Sequence, residues 1–285
     1  MREAPPVTPS EPSGRPGGAG GGAVNPGTGK APLSVAVITQ NEERNISACL
    51  QSVAFAAQIV VVDSHSGDAT AEIARASGAE VFAEPWRGGF GAQKQFAIDQ
   101  CRQPWILILD ADERIPPETA VVIARVLAEP GPAGYSFPRK NYFQGRWIRH
   151  AGWWPDRLTR LFRRGQGRMS VAAVHEGLEV EGPVAALDVP IVHCTESDLS
   201  LILRKIDHYS TLGAREAYAA GRRATVGGAL VRAALTFLQD YVFRLGMLDG
   251  PQGLTLAATD GINKFCKYAK LAEMTRRRGR PAGEP

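Results

Sequence analysis

With 285 residues, a formal net charge of +4 and 44% hydrophobic residues, the chain can bury a full α/β core. One domain with appended helices accounts for that length more economically than two independent domains. Cys49, Cys101, Cys194 and Cys266 lie far apart with no Cys-x-x-Cys pair, which argues against a disulfide framework or structural zinc and fits a reducing cytoplasm. No run of ~18 apolar residues could span a bilayer, and the polar, proline-rich opening lacks a signal-peptide pattern.

Residues 1–30, rich in Pro and Gly, read as a disordered tail. Gly27-Thr-Gly-Lys30 mimics a phosphate loop but lacks the preceding strand, the first glycine and the following hydroxyl residue, so it is rejected. A strand from Leu33 to Thr39 runs into Gln40-Asn41-Glu42-Glu43, where Asn41 is expected to N-cap a helix through about Val53 with the acids in its first turn. A second strand, Gln58 to Val62, runs into the turn Asp63-Ser-His-Ser-Gly-Asp68. His65 in that turn has no nucleophile elbow around it and is read as a loop residue.

A helix from about Ala69 to Ser77, a short strand near Ala79 to Ala83 and a helix from about Phe90 to Cys101 lead to Trp105-Ile-Leu-Ile-Leu-Asp110. That apolar run reads as a buried strand of a parallel sheet, and open α/β sheets bind ligands at the carboxyl ends of such strands. Asp110 and Asp112 are hard oxygen donors one residue apart that can share a divalent cation and present it to phosphate. An EF-hand is ruled out, because Ile115 and Val121 stand where its glycine and bidentate glutamate belong. The alternation of strand and helix predicts a doubly wound, mostly parallel sheet with a row of carboxylates along one edge.

Three segments in order, Ser34-Val-Ala-Val-Ile-Thr39-Gln-Asn41-Glu42-Glu43, Val60-Val-Val-Asp63-Ser-His-Ser-Gly67-Asp68-Ala-Thr70 and Leu109-Asp110-Ala-Asp112-Glu113, resemble the family 2 inverting glycosyltransferases of GT-A fold. The resemblance implies that Asp63 accepts a hydrogen bond from uracil, that the turn carrying Thr39, Asn41 and Glu42 lines the nucleotide, and that Asp112 ligates Mg²⁺ or Mn²⁺. It likewise assigns Lys94, Asp110 and Arg160 to nucleotide-sugar binding. The general base it implies is Glu176, in Val174-His175-Glu176, which would take the acceptor hydroxyl's proton in a single displacement. One departure is that the usual Asp-Asp-Gly-Ser reads here as Asp63-Ser64-His65-Ser66. The later segments His150-Ala-Gly-Trp153-Trp154-Pro155-Asp156, Arg160-Leu-Phe-Arg163-Arg164 and Leu248-Asp249-Gly250 are similar to the bacterial lipopolysaccharide core glucosyltransferases. They imply transfer of glucose from UDP-glucose to a lipopolysaccharide-core or related lipid-linked saccharide.

Between the sheet and Glu176 runs a cationic, aromatic stretch from Arg139 to Arg168 with Asp156 its only acid. It could stack single-stranded nucleic acid or hold a sugar and anionic phosphates. No nucleic-acid fold has a signature here, so the saccharide is preferred. His193 and Cys194, after the apolar Val189-Pro-Ile-Val192, are expected to end a core strand. From Val226 to Leu248 a helix is expected with Arg232, Thr236, Gln239, Asp240 and Arg244 on one arc and a broad apolar face opposite, either packed on the domain or lying in a membrane interface. Basic residues from Lys264 on would attract an anionic inner leaflet, although a solvated basic tail is the simpler account of Arg276, Arg277, Arg278 and Arg280. The expected organisation is a tail 1–30, a catalytic domain 31–200, helices 201–274 and a basic tail 275–285, placed in the cytoplasm and peripheral on the inner face of the cytoplasmic membrane. Two other readings are weighed. A nucleotidyltransferase would want a glycine-rich basic loop after the first strand, where this chain is acidic, and an inactive saccharide- or membrane-binding module sits poorly with Asp63, Asp110 and Asp112 all present.

Overall fold

The structure, a computed structural model, describes residues 29–170, 177–195 and 198–278. Glu176 and His175, most of the Pro/Gly-rich tail and the end of the basic tail lie outside the described residues. The first half alternates as its apolar periods predict. β1 (Ala31–Thr39), α1 (Ile46–Ser52), β2 (Ala56–Asp63), α2 (Thr70–Ala76), β3 (Glu80–Ala83), α3 (Phe90–Asp99) and β4 (Trp105–Asp110) follow in turn. A two-residue β5 (Glu113–Arg114) and α4 (Pro117–Ala128) come next. The sheet is then extended by β6 (Gly134–Phe143), β7 (Arg146–Trp147), β8 (Asp156–Arg163), β11 (Val184–Ala186) and β12 (Ile191–Thr195). The chain between β8 and β11 forms a separate hairpin of β9 (Gly167–Met169) and β10 (Leu178–Val180).

Among the described residues the main sheet has the order β3-β2-β1-β4-β8-β6-β12-β5, with β7 and β11 paired to β6. β3, β2, β1 and β4 are parallel, but β8 lies antiparallel to β4 and to β6, and β5 antiparallel to β12. The sheet is therefore mixed rather than purely parallel, with β11 and β12 again parallel to β6. The reason is that β6 to β8 return by short connections instead of helical crossovers, and short returns make antiparallel neighbours. Alternate residues of the central strands feed two cores. Leu33, Val35, Val37, Leu107 and Leu109 pack with Ile46, Leu50 and Ile123 on one face, while Ala36, Ile38, Ile106 and Ile108 pack with Ala97 and Ile98 on the other. Burial on both faces is why these strands read as continuous apolar runs.

Asn41 is not the N-cap of the first helix. It adopts a left-handed conformation with φ of 55°, and α1 starts at Ile46 with Asn45 in the flanking position. Its backbone N–H donates to Ser66 Oγ and its Oδ1 accepts from Gly67 N, each at 2.8 Å. Loop-to-loop bonding has won over capping, and the acids of Glu42 and Glu43 fall outside the helix.

The C-terminal part comprises α5 (Leu199–Ala219), α6 (Val226–Leu238) and α7 (Gly250–Arg278), with α7 packed against both others. The single helix expected from Val226 to Leu248 breaks after Leu238 into a π-helical stretch (Gln239–Phe243) and a 3-10 turn (Gly246–Asp249). Gly246 makes the break possible: a Cβ there would sit 2.6 Å from the Asp240 carbonyl oxygen. No helix among the described residues is long and apolar enough to cross a membrane.

Candidate active site

The carboxyl ends of three adjacent parallel strands bring the first-half motifs together. Thr39 pairs with Asp63 between β1 and β2, and Ile38 pairs with Asp110 between β1 and β4. Asp63 is buried and accepts from the backbone N–H of Ser66 at 3.0 Å and from its hydroxyl. Glu42 N donates to Thr70 Oγ1 at 2.8 Å, which fastens the loop after β1 to the start of α2. The Thr39 hydroxyl is buried with no hydrogen-bond partner among the described residues, an orphan that a ligand oxygen or nitrogen in this cleft would satisfy.

Asp110 and Asp112, one residue apart, stand in different company. The two oxygens of Asp110 are held by Lys94 Nζ at 2.7 Å and Arg160 Nη2 at 2.8 Å. Burial alone would raise the pKa of Asp110, but Arg160 and then Lys94 hold it well below the usual carboxylate range. Arg160 also bonds the fully buried Glu113 at 2.8 Å, and Arg139 lies 3.5 Å from Glu113 while bonding Asp156 at 2.6 Å. Lys94, Arg139 and Arg160 thus balance Asp110, Glu113 and Asp156 in one chain of ion pairs.

Asp112 meets His193 instead. Strand β12 pairs with β5 so that His193 lies opposite Glu113, and this sets His193 Nε2 3.1 Å from Asp112 Oδ2. The other ring nitrogen, Nδ1, is 2.8 Å from Asn141 Oδ1. Asn141 Nδ2 donates to the Trp153 carbonyl at 3.1 Å, which fixes the amide so that its oxygen faces the ring and Nδ1 carries the hydrogen. The Nε2 lone pair then points at a carboxylate. A shared proton or a cation satisfies both, and one carboxylate oxygen from the turn after β4 with one imidazole nitrogen from β12 suits Mn²⁺ better than Mg²⁺, which prefers oxygen donors, with Asn141 as the orienting partner behind the histidine. Among the described residues no group of three or more His, Cys, Asp or Glu is gathered for a metal, so any cation here would complete its shell with phosphate oxygens and water.

Comparison with known proteins identifies the family of the chain. Residues 34–178 match the family described as glycosyl transferase family 2. The lipopolysaccharide core biosynthesis glycosyltransferase LpsC of Rhizobium meliloti is 34% identical over 266 residues, covering 88% of this chain and 96% of that one. The chain belongs to glycosyl transferase family 2. An uncharacterized glycosyltransferase of Rickettsia typhi, RT0209, is 24% identical over 85% of this chain and 87% of its own. The crystal structure of Staphylococcus aureus TarS 1–349 in complex with UDP matches with a TM-score of 0.46 and 16% identity, over 88% of this chain and 93% of that one.

In this glycosyltransferase the sequence motifs named Thr39, Asn41, Glu42, Asp63, Lys94, Asp110, Asp112 and Arg160, and all eight sit at or beside the strand ends of one sheet. Three further residues, assigned no role there by the sequence motifs, join the site. His193 is partly exposed and directed at Asp112 rather than closing a core strand, Asn141 holds it, and Glu113 anchors Arg160. The only local signal was a histidine flanked by strand residues, because its partners are remote in sequence. His65 is an exposed loop residue, as expected.

On the far side of Asn141 lies the loop after β6. Lys140 Nζ and the Arg149 guanidinium sit 4.3 and 4.2 Å from the centre of the Trp147 ring, and Trp154 meets Trp147 edge-on at 5.3 Å. The buried carboxylate of Asp249 accepts from His150 N at 2.9 Å and lies 3.1 Å from His150 Nδ1. The C-terminal helices are thereby tied to this loop.

Proposed function

We propose that the protein transfers a hexosyl group, with inversion, from a UDP-sugar to a lipopolysaccharide-core or related lipid-linked saccharide at the inner face of the cytoplasmic membrane, with UDP-glucose as the donor. The observation that supports it most directly is the meeting of Asp112 and His193 beside the strand ends that carry Thr39, Asp63 and Asp110. The identity to LpsC along nearly the whole of both chains supports the acceptor class.

In this reading Asp63 and the turn of Thr39, Asn41 and Glu42 bind the nucleoside. Asp112 and His193 would hold Mg²⁺ or Mn²⁺, and the cation would supply positive charge to offset that developing on the departing diphosphate. Lys94 and Arg160, oriented by Asp110, present cationic edges toward the donor. We assign the base to Glu176 on the family resemblance. Its carboxylate takes the proton of the acceptor hydroxyl as that oxygen bonds to the anomeric carbon, the bond to the UDP oxygen breaks on the opposite face, and the configuration inverts. The cationic and aromatic side chains of Lys140, Trp147, Arg149 and Trp154 suit a sugar ring bearing anionic groups.

A panel of nucleotide sugars, assayed for hydrolysis and for transfer with and without Mn²⁺, tests the donor. Metal-stimulated turnover confined to UDP-glucose is expected. Preference for a GDP- or CMP-sugar would overturn it.

A further inference from the structure

The surface that α6 turns away from the protein is as apolar as the side it packs. Toward α7 it offers Ala229, Ala233 and Phe237: Ala229 is fully buried, and a Cβ at Gly261 of α7 would lie 3.2 Å from the Ala233 carbonyl and 3.6 Å from Phe237 Cβ. Opposite, Leu230 is 62% exposed and Leu235 60%, and the turns that follow add Phe243 at 79% and Leu248 at 55%. No described residue covers this side, and an apolar face left open on a helix that also buries one is stable against lipid or another surface.

Within the segment itself the exposed charges have one sign. From Arg222 to Asp249 the acids are Asp240 and Asp249, both buried, the first paired with Arg244 at 3.0 Å and the second with His150. Arg222, Arg223, Arg232 and Arg244 are all exposed. Apolar side chains flanked by exposed arginines, in a segment whose own acids are buried, complement the acyl and headgroup layers of an anionic membrane.

The ridge is also fastened to the site. Arg146 Nη2 donates to the Leu248 carbonyl at 3.1 Å, Ala151 N to the Arg244 carbonyl at 2.9 Å, and Asp249 holds the backbone of Arg149 and His150. The same loop reaches Asn141, and through it His193 and Asp112, by way of the Trp153 carbonyl.

We propose that the ridge from Leu230 to Leu248 seats in the interface of an anionic bilayer and so holds residues 146–153 where a lipid-linked acceptor emerges. The second half of this statement rests on the glycosyl-transfer reading, and the first does not. The test is co-sedimentation of the full chain with vesicles of phosphatidylcholine alone or with phosphatidylglycerol, in low and high salt, which needs no sugar. Binding is expected only to the anionic vesicles, weakening in high salt as the attraction is screened. Leu235→Ser combined with Phe243→Ser removes exposed side chains only, so thermal unfolding should be unchanged while vesicle affinity falls about tenfold or more and UDP-sugar hydrolysis is kept. No binding by the parent chain, or equal binding by the variant, would overturn the proposal. So would light scattering that shows a dimer of the parent chain and a monomer of the variant, since the ridge would then be covered by a second copy.

Discussion

His193 Nε2 lies 3.1 Å from Asp112 Oδ2 across 81 residues of chain, with the ring held from behind by Asn141. The cation site proposed for the donor diphosphate depends on this relationship, because Asp110 has both oxygens engaged by Lys94 and Arg160. Replacing His193 by Ala should lower Mn²⁺ affinity in the presence of UDP, and Asn141→Ala, which leaves both donors in place, should lower it roughly 10–100-fold. Titration calorimetry or Mn²⁺ electron paramagnetic resonance reads the effect directly. Unchanged affinity in both variants would remove the histidine from the site.

For the base, Glu176→Gln keeps the side-chain shape but cannot take a proton. Transfer should fall by roughly two to four orders of magnitude while UDP binding is retained. Transfer at the parent rate would place the base elsewhere.

Glu113 is fully buried and shares Arg160 with Asp110. Glu113→Ala leaves a buried guanidinium with one partner where it had two, and breaking a buried pair in this way typically costs about 3–5 kcal/mol. Urea unfolding should show a loss of that order. A change under ~1 kcal/mol would mean that the cluster relaxes toward water.

Asp260, partly buried on α7, has its pKa raised from 3.8 to about 6 by burial and by the nearby Asp240, against the opposing pull of Lys264 and Arg244. A carboxyl whose folded pKa lies above its unfolded value stabilises the fold fully below pH 3.8, and that contribution is lost as the pH rises through about 6. Asp260→Asn, neutral throughout, should therefore melt higher than the parent chain at pH 8 and should lose that advantage at pH 4. Parallel melting curves for the two proteins across this range would contradict the assignment.

The strand ends at Thr39, Asp63 and Asp110 were legible in the sequence because uninterrupted apolar runs and the polar turns after them are local signals, set by burial on both faces of a sheet. Three motifs in order carried the family for the same reason. Which strand lies beside which is a non-local matter: the alternation within β12 could say that His193 faces opposite to its neighbours, but only its pairing with β5 and β6 put it against Asp112 and Asn141. Asn41 reads as a cap by composition, yet a partner loop 25 residues away competed for its hydrogen bonds and won. Between Val226 and Leu248 the pattern showed an amphipathic helix without saying which side would be covered. Tertiary packing settled that by pressing small residues of α6 onto α7, burying Asp240 and leaving Leu230, Leu235 and Phe243 at the surface. A residue's own chemistry decides what it can do, whereas its distant neighbours decide which of those things it is left free to do.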